Sequence, residues 1–233
     1  PVLYNEHQRD QVQYCGSSYN WQNFTVKHYE NINQISDIAD KDFWLWGTAL
    51  LIKREVTEAI GYHDEKFFVY DDDMEYALRA IRAGFISKIE PKAAAYHKQH
   101  FSGGTRKLPL HYYYYTTRND YFFWMRNGPW HKKMLFLRTY LYRNLCHIAD
   151  HIALRDEDIA DACLDALYAA FRSKGGPWDK NFKMPRAIKG RILRYPYLWC
   201  DLAGGHWGRV IKSGFQKIGE IFPKVKANNL KTK

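Results

Sequence analysis

The stretch EKFFVYDDDMEYALRAIRAG, residues 65–84, places Asp71, Asp72, Asp73 and Glu75 directly after the apolar run Phe67-Phe68-Val69-Tyr70. From Met74 onward apolar residues recur at Ala77, Leu78 and Ile81, the spacing of one buried helix face, so the acids fall on the first turn of that helix. Carboxylates there accept orphan N–H groups and complement the helix dipole, and Asp72 with Glu75 fits a capping box. Capping occupies one or two acids. Four crowded at one helix start repel each other unless a cation or a substrate lies close. The surplus is a pointer to chemistry in a chain whose formal net charge is +10.

Working outward, residues 1–43 are polar, with an alternating run QVQYCG that predicts a strand and an Asn/Gln/Ser-rich stretch that predicts a long irregular connection. Next come a buried-strand run, FWLWGTALLI (43–52), a short helix REVTEAI closed by Gly61, the acidic helix, and short strands at FISKIEP and AAAYH. This alternation predicts an α/β layer over residues 1–127. Apolar spacings of three and four predict two helices in 131–154 and 156–173, so residues 128–233 are expected to be a mainly helical, basic region. His97 ends the AAAYH run; beside a carboxylate cluster it is a metal-ligand candidate, and alone it is an ordinary structural histidine.

Composition bounds the function. With 233 residues, 46% hydrophobic and 17% aromatic, the chain builds a core and is not disordered. Cys15, Cys146, Cys163 and Cys200 form no CxxC pair, which suits a reducing, cytoplasmic compartment. No run reaches the roughly 20 apolar residues of a spanning helix, and PVLYNEHQRD has no apolar signal core. From Lys180 on, Lys and Arg far outnumber Asp201 and Glu220, and Trp130, Trp178, Trp199 and Trp207 intersperse the region after 128. That combination predicts peripheral attachment to an anionic membrane surface, the inner face of the cytoplasmic membrane. Nucleic acid is not an expected partner, because acids occupy the best-defined cleft and no recognition motif is present. The aromatic run 111–130 suits core packing, a membrane interface or ligand stacking, and the Gly-rich loop HFSGGTRK (100–107) suits either closure over a phosphate or an ordinary turn.

Three segments in order, WGTALLIKREVTEAIGYHDEKFFVYDDDMEYALRAIRAGF, PKAAAYHKQHF and YYYYTTRNDYFF, resemble the second half of the catalytic domain of family 2 inverting glycosyltransferases of the GT-A fold, nearest the galactofuranosyltransferase and rhamnosyltransferase branch. The resemblance covers about residues 40–127. It implies Asp73 as the general base that deprotonates the acceptor hydroxyl, with Asp72 beside it, and Glu75 and Arg79 completing the motif. It also implies a substrate site at Trp44, Trp46, Gly47, Thr48 and Glu75, and His97 as a ligand to a divalent metal, Mn²⁺ or Mg²⁺. The implied partners are a nucleotide-sugar donor, UDP-galactofuranose ahead of dTDP-rhamnose, and a glycan or lipid-linked acceptor. Leu45 stands where the family usually has Trp, and His63 where an aromatic is commoner. Arg118-Asn119 matches a helix motif whose implied role is structural or membrane-proximal. The donor-binding first half of such enzymes, with its DxD motif, is absent from these residues, so the chain is expected to be an acceptor-side portion. The alternative function is a non-catalytic module that binds membrane, acceptor glycan or a partner chain.

Overall fold

A computed structural model describes residues 1–98, 108–195, 197, 199 and 200. The loop 100–107 and Trp207, both singled out above, lie outside the described residues. The chain is mixed α/β, with two small sheets and about half of it helical. In the first sheet β1 (Val2–Asn5) pairs antiparallel with β2 (Val12–Tyr14) and parallel with β6 (Ala94–His97). The second is antiparallel, in the order β4 (Thr25–Tyr29), β3 (Gly16–Asn20), β5 (Phe43–Trp44). Only Cys15 separates β2 from β3, so the chain steps from one sheet to the other at Cys15-Gly16. Gly16 holds φ 149° there, and a Cβ would run into the Phe43 ring.

Three expectations are corrected. The first part of the Asn/Gln/Ser-rich stretch, SSYNWQNF, belongs to a hairpin, β3 to β4, and only the part from ENINQIS to residue 42 is the irregular connection, with a 3₁₀ turn at Ile32–Gln34. Asn20 Oδ1 accepts the N–H groups of Gln22 and Asn23 at 3.1 Å each, closing the turn with a side chain. Of FWLWGTALLI only Phe43–Trp44 is strand; Gly47–Ala49 is a 3₁₀ turn, because the Gly47 N–H leaves the ladder for the Asp73 carboxylate. FISKIEP forms no strand. At its start Phe85 N–H bonds back to Ala80 O and Gly84 takes φ 90°, which ends a helix rather than starting a ladder.

Six helices complete the described chain: α1 (Arg54–Ile60), α2 (Asp72–Arg82), α3 (Leu110–Asn127), α4 (Lys133–Ala153), α5 (Glu157–Phe171) and α6 (Arg186–Arg194). Ile159, Ala160, Ala162, Cys163, Leu164, Ala166 and Leu167 bury α5 nearly all round, so it is the central helix against α3 and α4. One core runs from Phe67 and Met74 through Phe123 and Trp124 to Phe136, Tyr140, Ile148 and Leu164, joining the α/β part to the helical part.

The approach to α2 is unusual. Phe68, Tyr70 and Asp71 all have φ between 60° and 67°, a region that costs non-glycine residues about 1 kcal/mol or more each. α3 holds them there. Fully buried Asn119 donates through Nδ2 to the carbonyls of Phe67, Val69 and Tyr70 at 2.8–3.0 Å. Fully buried Arg118 donates to Phe67 O at 2.8 Å, Lys66 O at 3.2 Å and Gly176 O at 2.7 Å. The rings of Tyr114, Tyr115 and Phe122 lie 5.0–5.5 Å from its guanidinium. The Arg-Asn pair is thus structural, as the resemblance implied. Asn119→Asp would set a carboxylate against three carbonyl oxygens, and we expect at least about 3 kcal/mol of destabilisation in urea unfolding. An unchanged midpoint would show that the loop does not depend on α3.

Candidate functional site

The four acids of the opening stretch face four different environments. Asp71 is the residue before α2, in the left-handed conformation, and its side chain makes no cap hydrogen bond. Its C=O, not its carboxylate, accepts the Glu75 N–H at 3.0 Å. Asp72 Oδ2 lies 3.2 Å from His63 Nδ1, and the His63 ring stacks on Tyr76 with centroids 4.3 Å apart. His63 therefore combines stacking on Tyr76 with a contact to Asp72. Glu75 is 2% exposed and ion-paired with Arg79 at 2.9 Å and Arg126 at 3.2 Å. The capping box suggested by the spacing does not form, because Glu75 turns inward to these two guanidiniums.

Asp73 is held from two sides: Gly47 N–H donates to Oδ2 and Met74 N–H to Oδ1, both at 2.8 Å. A Cβ on Gly47 would stand 3.4 Å from the Asp73 Cβ, so the missing side chain permits this close approach. Burial pushes the Asp73 carboxyl above the usual carboxylate range, and the Asp72 charge adds to it; the Gly47 and Met74 hydrogen bonds and His63 pull the other way. Asp73 and His63 line a cavity of about 520 Å³ together with Leu45, Leu50, Lys53 and Tyr76. Leu45, the position where the resembled family carries Trp, thus faces this cavity.

The remaining predicted residues divide. Trp46 stacks flat on Tyr14, centroids 3.9 Å apart, and its N–H donates to the Tyr14 hydroxyl at 3.0 Å. Thr48 is exposed beside Gly47. Trp44 is core, 3% exposed, stacked near Tyr19. His97 ends β6, where Nδ1 is 3.1 Å from Gln13 Oε1. Among the described residues no group of three or more His, Cys, Asp or Glu side chains gathers around a common point, so His97 finds no such ligand set there.

A second cavity, of about 540 Å³, opens on the other side of the α2 start and was not legible in the sequence. It is lined by Asp71, Asp120, Tyr112, Arg143 and His147, among others. Asp120 pairs with Arg143 at 2.9 Å, yet burial lifts its carboxyl to about 6. Asp71 is pushed well up by burial, then by the charges of Asp120, Asp73 and Asp72. Their separation in sequence, one before α2 and one within α3, hides the pair from spacing arguments.

Over 61 residues, 26% of the chain, the sequence is 36% identical to the N-acetylglucosaminyl-diphospho-decaprenol L-rhamnosyltransferase of Mycobacterium tuberculosis, in strains CDC 1551 / Oshkosh and ATCC 25618 / H37Rv. The matched part spans 20% of the length of these relatives. No family model matches the chain. No solved structure matches it.

Asp71→Asn should stabilise the protein by about 1 kcal/mol at neutral pH, since asparagine accepts the left-handed conformation and removes an unfavourable buried charge. The folded carboxyl is raised above its unfolded value, so the wild-type penalty is present at neutral pH and disappears as pH falls below the unfolded value. Thermal melts of both proteins between pH 7 and pH 3 should therefore converge on acidification; a constant gap would assign the gain to another cause.

Proposed function

We propose that this chain is the acceptor-side part of an inverting glycosyltransferase, with Asp73 as its general base. The observation that carries the reading is the Asp73 carboxylate fixed at the start of α2 by two backbone N–H groups, made more basic by burial, and open to a cavity. A base must sit within hydrogen-bond reach of its proton and hold a defined orientation, and a helix start braced by α3 gives that rigidity. In the reaction Asp73 takes the acceptor hydroxyl proton as the oxygen attacks the anomeric carbon. The bond from that carbon to the diphosphate oxygen breaks on the opposite face, and the nucleoside diphosphate leaves with the electron pair. His63 and Asp72 position the cavity wall, and Trp46 with Tyr14 forms an aromatic platform beside Gly47.

The similarity to a rhamnosyltransferase favours an activated rhamnose such as dTDP-rhamnose over UDP-galactofuranose, and a lipid-diphosphate-linked sugar as acceptor. The divalent metal implied by the resemblance lacks a ligand set of three or more such side chains among the described residues. Peripheral membrane contact is supported by Trp130 and Met134, 83% and 76% exposed and flanking Lys132 and Lys133. No described helix is long and apolar enough to cross a membrane.

Transfer is assayed by mass spectrometry with both donors and a polyprenyl-diphospho-N-acetylglucosamine acceptor, using this chain joined to a nucleotide-binding half of the resembled family. Asp73→Asn should lower kcat by about 10²- to 10⁴-fold with donor affinity retained. Wild-type kcat should fall as pH drops through the raised Asp73 value, because only the carboxylate accepts the proton. Turnover near wild type in the Asn variant would remove Asp73 from the chemistry. Acceptor binding without transfer in the wild type would favour the non-catalytic module. In the same protein Trp130→Ala should weaken sedimentation with anionic vesicles more than raised salt does; equal sedimentation of the two proteins would leave the membrane contact without an aromatic anchor.

A further inference from the structure

Near the C-terminal end of α4, His147 and His151 stand one turn apart, at the spacing that puts two side chains on one helix face. Their Nε2 atoms lie 3.1 Å apart, within hydrogen-bond distance, with the rings nearly perpendicular at 83°. The other nitrogen of each ring faces a further side chain. His151 Nδ1 lies 3.5 Å from Asp156 Oδ2 and is buried with no hydrogen-bond partner. His147 Nδ1 lies 3.7 Å from the Cys163 sulfur. Tyr113 packs against both rings, at 5.8 and 5.5 Å between centroids.

We propose that His147 and His151 form a bidentate site for a borderline-soft divalent transition metal, Zn²⁺ or Ni²⁺, with solvent or a small ligand in the remaining positions. Two imidazoles each about 2.05 Å from a zinc ion, with nitrogens 3.1 Å apart, subtend about 98°, so a tetrahedral ion is reached by a few tenths of an ångström of ring rotation. Without a metal the same contact is a hydrogen bond between the two rings, whose proton an incoming ion would displace. A carboxylate that accepts the far N–H of a ligating histidine fixes its tautomer and raises its basicity, and Asp156, 3.5 Å from His151 Nδ1, stands where a small ring shift would make that bond. Cys163 is not a ligand, since its sulfur faces Nδ1 of His147 and not the Nε2 atoms that converge. His147 lies at the surface, so the site is open to ions from solution. Imidazole donors select Zn²⁺, Ni²⁺ or Cu²⁺ over the oxygen-seeking Mg²⁺ and Mn²⁺, so this site is separate in kind from any ion serving a nucleotide diphosphate. It does not depend on the glycosyltransferase reading.

The test is calorimetric titration of the 233-residue chain, freed of metal by chelator, with Zn²⁺ and then Ni²⁺. One site that Mg²⁺ does not compete for is expected. His147→Gln and His151→Gln should each weaken that site at least tenfold, Asp156→Asn about tenfold, and Cys163→Ser not at all. Paramagnetic resonance of the Cu²⁺-loaded wild type should show two equatorial nitrogens, a reading independent of how well the variants fold. Titration curves unchanged in both Gln variants, no uptake by the wild type, or a copper spectrum with a single nitrogen would each overturn the site.

Discussion

Everything at the candidate site depends on a buried fork of donors aimed at one strained loop. Arg118 and Asn119 are adjacent on α3, both fully buried, and their side-chain N–H groups take the carbonyls of Lys66, Phe67, Val69 and Tyr70. A buried guanidinium with no carboxylate beside it is costly unless its donors are satisfied. Here backbone carbonyls and aromatic faces satisfy it. In return, three non-glycine residues with positive φ are held before α2, and the helix begins at a fixed point and angle.

From that fixed start the acids acquire different chemistry. Asp73 meets backbone N–H groups and a cavity, Asp72 meets His63, and Glu75 is closed between Arg79 and Arg126. Asp71 makes no cap hydrogen bond and lines a different cavity with Asp120. The crowding that looked like a single acidic cluster is resolved by direction: successive residues at a helix start point about 100° apart. Only one of them combines an open cavity with fixed orientation.

The same α3 joins the two parts of the chain. Its buried face packs on α5, and Tyr140 of α4 donates to Thr117 O at 2.9 Å. Trp178, beyond α5, is partly buried and stacks on Tyr114 with centroids 4.4 Å apart, so this tryptophan packs on α3. Trp130 is the contrasting case, 83% exposed. Aromatic content alone does not separate these two roles, because both use the same amphipathic rings.

Local pattern was enough for α1, α2, the two long helices of the C-terminal part and the strand at Ala94–His97, because apolar period and glycine stops are written in consecutive residues. It was also enough to flag the cluster Asp71, Asp72, Asp73 and Glu75, since surplus charge at a helix start is visible without coordinates, whereas the choice of Asp73 among them came from the family resemblance. It failed for the β3 to β4 hairpin, whose strands carry serines and whose turn is closed by the Asn20 side chain, and for the run after Trp44, where Gly47 abandons the sheet for Asp73. Which acid faces the cavity, which is locked between arginines, and how Asp71 finds Asp120 are decided by contacts across tens of residues. Those contacts follow from where α3 packs, and no local rule encodes that.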